Sequence, residues 1–337
     1  MNRRLDWLNA GGGKRANTVA VTIVAVVVVA AVVFIMFFFS GRRQYAGTGY
    51  MMGAYVRVTV YGSDCTAEAL AAVNDCESRL SHRIAGSETA MFNNGETFEQ
   101  SQQFRDIMEL SASLKELTDG AFDTGVLRLT SLWDFDSGKH VIPDDEPLRE
   151  AVAAVAAGNG GLDLGSVGKG AACDSAAAVL KDNGASGVVA VGGSLACVGE
   201  KPGGGDWNIN VRDPFGGASD TLLTLSLGEC FVSTSGSYEK FFITDGELYH
   251  HILDPRTGMP AVSDIVSVTV IAGSGALSDA LSTAMFVVGE ERALELCEFF
   301  DAEALFVHGD GSITATDGLL GSINSSADTE ISYEAGR

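Results

Sequence analysis

The sequence predicts a mixed α/β domain of the α+β kind, preceded by one N-terminal transmembrane helix. Three observations predict this. Thr18 to Phe39 is a run of 22 residues, apolar apart from Thr18 and Thr22. Beyond it, short alternating β-branched runs and alanine-rich helical runs are interspersed, which favours a mixed domain over an all-β one. Only six prolines occur in 337 residues, and no charge block, repeat or low-complexity linker divides residues 44–337. That stretch is long enough for one large domain or two small ones.

The apolar run is long enough to cross roughly 30 Å of hydrocarbon as a helix. Arg3, Arg4, Lys14 and Arg15 precede it, and Arg42 and Arg43 follow. The excess positive charge before the run puts residues 1–17 in the cytoplasm and everything after residue 43 outside. The run exceeds the apolar region of a cleaved signal, about 7–15 residues, and no small-x-small site follows it cleanly. The expectation is therefore a single-pass cell-membrane protein with an extracytoplasmic domain. Its parts are an anchor at 18–39, a tether at 40–49 that includes Gln44–Gly49, a folded domain at 50–325 and a tail at 326–337.

The elements follow in order. Ala54–Tyr61 alternates like a strand. Thr66–Leu80 has helical spacing, with Leu70, Val73, Glu77 and Leu80 along one side. Phe104–Leu117, Glu146–Ala157 and Ala171–Asn183 are further helices. Val188–Val191, Trp207–Val211, Thr221–Leu227, Tyr238–Ile243 and Ile265–Ile271 read as strands. Leu277–Val288 is an apolar helix, followed by Glu291–Phe300.

Charge excludes some functions. The first 43 residues hold six Lys/Arg and one acid, which leaves 16 Lys/Arg against 43 Asp/Glu beyond them, a net of −27. Nucleic acid and anionic lipid are repelled by such a surface. An anionic ligand must then be held by local donors or a cation. The six cysteines have no C-x-x-C spacing, so a zinc site is not expected, and buried thiols are preferred over disulfides.

Five segments carry possible chemistry. In HHILDPRTG (His250–Gly258), Asp254-Pro255 favours a turn and Gly258 can close it at positive φ. Such a turn can present His251 and Arg256 to a common point, a proton carrier beside a phosphate-seeking cation. Adjacent histidines on a strand point to opposite faces, so one of the two is structural. TDGAFD (Thr118–Asp123) delivers Phe122 and Asp123 from a turn, or is a plain loop. LDLGSVGKGAACD (Leu162–Asp174) places glycines and Lys169 before a helix, where backbone N–H groups can meet an anion. It matches neither the P-loop nor the dinucleotide fingerprint. VGGSLACVG (Val191–Gly199) allows close backbone approach, or a bulge. In SDALSTA (Ser278–Ala284), Asp279 and Thr283 stand one helical turn apart, a corner for a hard cation or simply a helix cap.

Together and in this order, these segments resemble the FAD:protein FMN transferases, the ApbE-type flavin transferases. The resemblance runs from about Met52 to about Val307. It is carried by MGA (Met52–Ala54), TDGAFD followed by Leu132-Trp133, LDLGSVGKG, the VGG turn, TSGSYEKFF (Thr234–Phe242), HHILDPRTG and SDALSTA. It implies the family's mixed α/β fold and its reaction. FAD is cleaved with Mg²⁺, FMN is attached through its phosphate to a Thr or Ser hydroxyl of a target protein, and AMP leaves. By motif, it implies that Met52, Ala121, Phe122, Asp123, Asp163, Lys169 and Ile252 contact FAD. Asp279 and Thr283 would ligate magnesium, with Ser166 and Ser282 supplying nearby oxygens. His251 would take the proton of the attacking hydroxyl. Three departures stand out: Ala54 where threonine is usual, Thr124-Gly125-Val126 after Asp123 where Pro-Thr-Val-Gly is usual, and Gly168 where alanine is common.

The chemistry agrees with these residue types. Phosphoryl transfer needs charge neutralised on the phosphate oxygens, chiefly by metal and fixed donors. A histidine that titrates near neutrality suits deprotonation of a hydroxyl, a contribution of about 10²–10⁴-fold. Two alternatives stay open. A membrane-anchored Mg²⁺-dependent FAD pyrophosphatase would use water in place of the hydroxyl. A non-catalytic flavin-binding surface protein would need none of Asp279, Thr283 or His251.

Overall fold

The computed structural model describes residues 26, 28–30, 43–325 and 330–334. The Thr18–Phe39 anchor lies outside the described residues but for Val26 and residues 28–30, which are helical. Among the described residues no helix is long and apolar enough to cross a membrane.

The described chain opens with a hairpin of β1 (Gln44–Met51) and β2 (Ala54–Tyr61). The two pair along their full length, from Gln44 opposite Tyr61 to Met51 opposite Ala54. This corrects the tether expected at Gln44–Gly49, which is an edge strand. Gly47 and Gly49 lie so close to the Leu70 and Met51 side chains that a Cβ would collide. Glycine-rich sequence thus reads as linker although β2 supplies its pairing.

Six helices follow: α1 (Thr66–Leu80), α2 (Glu88–Asn93), α3 (Gln102–Leu117), α4 (Leu127–Trp133), α5 (Asp145–Ala156) and α6 (Gly168–Asp182). The next seven strands are β3 (Ser186–Val191), β4 (Ser194–Val198), β5 (Trp207–Arg212), β6 (Thr221–Leu227), β7 (Cys230–Gly236), β8 (Phe241–Thr244) and β9 (Glu247–His250). The chain continues through β10 (Ile265–Ala272), α7 (Gly275–Val288), α8 (Glu290–Phe300), β11 (Glu303–His308), β12 (Ile313–Thr316), β13 (Ile323–Asn324) and β14 (Ile331–Glu334). The C-terminal tail is corrected too, since β14 pairs in parallel with β12.

A nine-stranded sheet, ordered β1-β2-β3-β4-β7-β10-β11-β12-β14, forms the middle layer. Val56, Val58 and Val60 alternate inward from β2 and are fully buried, as a period of two requires. They share one buried core with Ala69, Val73 and Cys76 of α1 and with Ala172, Cys173 and Ala176 of α6. Each fully buried valine or leucine contributes about 1.5–3 kcal/mol relative to exposure. The other face of the sheet is covered by β13-β6-β5, with Trp207, Leu223 and Leu225 packed on Leu305 and Val307. A separate hairpin, β8-β9, stands apart from both sheets. The expected Tyr238–Ile243 strand starts later, at Phe241, because Ser237 and Tyr238 turn, Glu239 and Lys240 bend, and the Tyr238 ring folds over Gly236.

Candidate active site

Two hairpin turns converge on the N-terminal end of α6. Met52-Gly53 joins β1 to β2 with φ of 56° and 66°, the left-handed pair that a tight hairpin demands. Holding a methionine there costs roughly 1–3 kcal/mol. Its side chain reaches over Gly168, where a Cβ would crowd Met52 Cε. Gly192-Gly193 joins β3 to β4 as a two-residue turn, not a bulge. Gly192 faces Ala54 and the aliphatic stem of Lys169.

Lys169 links the segments. Its Nζ is 3.1 Å from the Gly165 carbonyl and 3.5 Å from Asp279 Oδ1. The other Asp279 oxygen accepts the Gly170 N–H at 2.9 Å. This arrangement needs α6 and α7 in backbone contact. A Cβ on Gly170 would fall on the Gly275 carbonyl, and one on Gly275 on the Gly170 carbonyl. Asp174 completes the joint by accepting the Gly275 and Ala276 N–H groups at 2.6 and 2.8 Å. Burial raises the Asp174 carboxyl above its usual range against the pull of those two donors. The α7 N-cap is Ser274, whose side chain accepts the Leu277 N–H. Asp279 is therefore not spent on capping.

A layer of hydroxyls lies beneath Asp279. Ser235 contacts Ser282 at 2.8 Å and Thr283 at 3.2 Å. Ser233 bridges Ser194 and Ser278. Ser282 donates to the Asp279 carbonyl at 2.9 Å and is fully buried. Ser282 and Thr283, both expected to offer oxygens to a metal, thus share Ser235 and the Asp279 carbonyl as hydrogen-bond partners. Thr283 is only part-buried. Ser166 is half-buried, one residue beyond the carbonyl that Lys169 holds. The donors are hard oxygens around one carboxylate, and among the described residues no group of three His, Cys, Asp or Glu is placed to hold a metal ion by itself. That set suits magnesium, which takes few protein ligands and completes its shell with phosphate and water.

Asp163 sits on the adjoining loop. Its oxygens accept the Gly165 N–H at 3.0 Å and the Thr130 hydroxyl at 2.7 Å, and His82 lies 3.6 Å away. Burial pushes this carboxyl up, but His82, Thr130 and the Gly165 N–H outweigh it and hold it below its ordinary range. The Asp163 N–H donates to the Thr124 carbonyl, which ties in the Thr118–Asp123 loop. Asp123 in that loop is paired with Lys115 at 2.6 Å. Ala121, Phe122 and Ile252 are buried in the main core. Their side chains seat the loops, so any flavin contact expected of these residues falls to their backbone.

The residues of HHILDPRTG separate. His250 ends β9, stands edge-on to Phe286 and faces the Ala261 carbonyl at 3.2 Å. His251 follows the strand, and its Nδ1 is buried with no hydrogen-bond partner among the described residues. Arg256 is bound through two nitrogens to Asp254, so it does not share a point with His251 as the turn suggested. The turn itself is seated by Trp133 Nε1, which donates to the Gly258 carbonyl at 2.7 Å.

The profile of the ApbE family matches residues 52–306. The chain belongs to the ApbE family. It is 31% identical over 319 residues to the FAD:protein FMN transferase of Treponema pallidum, covering 82% of this chain and 88% of that one. The crystal structure of the ApbE protein from Thermotoga maritima superimposes with a TM-score of 0.71 at 32% identity, over 80% of this chain and 96% of the other. The apo flavinyl transferase ApbE of Pseudomonas stutzeri gives 0.69 at 30% identity, over 83% and 97%.

Within this ApbE chain the electrostatics differ from the sequence expectation at one point. Burial, then the positive charges of Lys240 and Lys169, push the His251 imidazole down to about 3. It does not titrate near neutrality in the ligand-free protein, and it is neutral there. Several residues of the site were missed in the sequence. Asp136 binds Lys240 at 2.6 Å and Arg83 at 2.5 Å. Burial opposes its charge, yet those two cations hold the Asp136 carboxyl at about 2. His82, Arg83, Thr130 and Asp136 lie outside every motif. Asp174, Ser235 and Lys240 lie inside motifs but had no assigned role.

Proposed function

We infer that this chain is an FAD:protein FMN transferase. It cleaves the pyrophosphate of FAD, attaches FMN through its phosphate to a Thr or Ser hydroxyl of a target protein and releases AMP. The observation that carries this reading is the convergence of segments from Met52 to Thr283 around Lys169, with the unpartnered His251 nitrogen on one side and Asp279 on the other. Flavin binding alone needs neither.

The His251 imidazole, neutral and part-buried, accepts the proton of the incoming hydroxyl. Lys169 meets the phosphate charge, and Asp163 and Met52 bound the flavin side. Asp279 and Thr283, with Ser166 close by, would hold Mg²⁺. When bound, the ion supplies neutralisation of charge on the phosphate oxygens. Two anionic phosphates beside His251 offset Lys240 and Lys169, so its basicity rises when substrate is in place. Anchoring in the cell membrane by 18–39, with the enzyme outside the cytoplasm, completes the reading. Protease added to intact cells should then remove the domain, and protection until permeabilisation would reverse the orientation.

The activity is tested by incubating the chain with FAD, Mg²⁺ and a Thr-bearing acceptor protein. Intact mass spectrometry should find the acceptor heavier by one FMN, with AMP in equal amount. Free FMN and AMP over an unmodified acceptor would point to a pyrophosphatase instead.

A further inference from the structure

We propose that Lys240 is a second phosphate-binding residue of this site, kept beside His251 by Asp136. The proposal rests on the transferase reading above and adds a cation to it.

The first support is position. The His251 N–H donates to the Lys240 carbonyl at 3.0 Å, which extends the β8-β9 ladder one pair beyond Phe241 and His250. Residues opposite each other in an antiparallel pair project to the same face. Lys240 and His251 therefore rise from the same side of the hairpin. Asp136 is brought to that side by aromatic packing. Phe135 stacks on Trp133 at 5.5 Å and meets Phe242 of β8 at 5.6 Å.

The second support is charge. Asp136 gives one oxygen to Lys240 and the other to Arg83. Lys240 thus shares its one directly bonded carboxylate with a second cation. The other cations of the neighbourhood lie away from the His251 side or are bound elsewhere. Lys169 faces Asp279, and Arg256 is held by Asp254. The pyrophosphate of FAD carries two negative charges into a domain whose net charge is −27. A lysine on the His251 side offsets one of them where the hydroxyl must attack. The Lys240 side chain is half exposed, so it can swing from Asp136 to a phosphate oxygen without rearranging the core.

The step balances without a further reactant. The acceptor oxygen bonds to the FMN phosphorus, the bond from that phosphorus to the bridging oxygen breaks, and AMP leaves with the electron pair. The hydroxyl proton goes to His251. Lys240 holds charge on the phosphate and exchanges nothing.

The test compares wild type, Lys240→Met and Lys240→Arg in the full chain with Mg²⁺. Flavin fluorescence quenching measures the preference for FAD over riboflavin, which lacks the phosphates. Mass spectrometry measures kcat for transfer. Lys240→Met should lose about tenfold of the FAD preference and roughly 10–100-fold in kcat, with riboflavin affinity unchanged. Lys240→Arg should restore most of both. An unchanged FAD preference and kcat in Lys240→Met would overturn the proposal, as would an Arg variant no better than Met. A wild type that binds FAD but labels no acceptor would remove the transferase reading alone, and the FAD preference would still judge Lys240.

Discussion

Around Asp279 the backbone is the fixture. Gly170 and Gly275 bring two helices into contact, Gly170 donates to the carboxylate, and Asp174 clamps the start of α7. Around His251 the fixture is an exposed hairpin. Phe241, Ile243 and Leu248 are solvent-facing, and charged pairs such as Lys240 with Asp136 steady its base. The first region is over-determined and tolerates little. The second is adjustable, which suits a base that must meet a hydroxyl carried by another protein. Substitutions should divide accordingly, with losses of fold and binding at the first and losses of chemistry at the second.

The largest effect is expected from Asp279→Ala. It removes the one carboxylate of the hydroxyl corner, so transfer should fall by at least about 10³-fold, and magnesium should no longer strengthen FAD binding. Initial rates across a magnesium titration check this. Normal turnover in the variant would show that the metal lies elsewhere.

Next is a pair of glycines that contrasts the regions directly. Gly170→Ala drives a methyl group onto the Gly275 carbonyl. The cost should be about 3 kcal/mol or more, roughly 10 °C in Tm. Gly246→Ala in the β8-β9 turn meets only open space at a φ of 85°. That change should cost about 1 kcal/mol. Equal losses in thermal unfolding would erase the distinction.

The site was legible in the sequence where chemistry is local. Asp279 and Thr283 share a helix face by spacing alone, and the turn after β9 announces itself through Asp-Pro and Gly. Parts assembled across the fold were not legible. Asp136, Arg83 and His82 are ordinary surface charges until α4 and the hairpin pack together. Spacing could not show that Ser235 on β7 reaches the hydroxyls of both Ser282 and Thr283. Arg256 read as a phosphate cation because sequence cannot show Asp254 folding back on it. The strand β1 was missed since glycine-rich edges draw their order from a neighbour.

The pH dependence sharpens the second region. In the free protein His251 is held at about 3, so kcat/KM should stay level from pH 8 down to about 5. The acid limb of kcat, which reports the loaded site, should lie higher because phosphate charge offsets Lys240 and Lys169. Stability should fall as pH drops from about 6.5 towards 3, since the unfolded histidine binds a proton in that interval and the folded one does not. His251→Gln should flatten that part of the slope in denaturant melts. An acid limb of kcat/KM near 6.5 would contradict the part-buried, cation-flanked setting.

The smallest effect belongs to His250→Gln. It loses the edge-on contact with Phe286 and alters the contact with the Ala261 carbonyl. About 1–2 kcal/mol of stability should go, with turnover per folded molecule near normal. A matching collapse of turnover would mean that both histidines serve the chemistry.

The division of labour is tested most directly by measuring FAD binding and FMN transfer in the same samples of wild type and His251→Gln. Fluorescence quenching should give nearly equal FAD affinities, while the flavin attached to the acceptor accumulates about 10²–10⁴-fold more slowly in the variant. A variant that transfers at the wild-type rate, or that loses FAD affinity in proportion to its rate, would contradict the assignment of His251 as the proton acceptor.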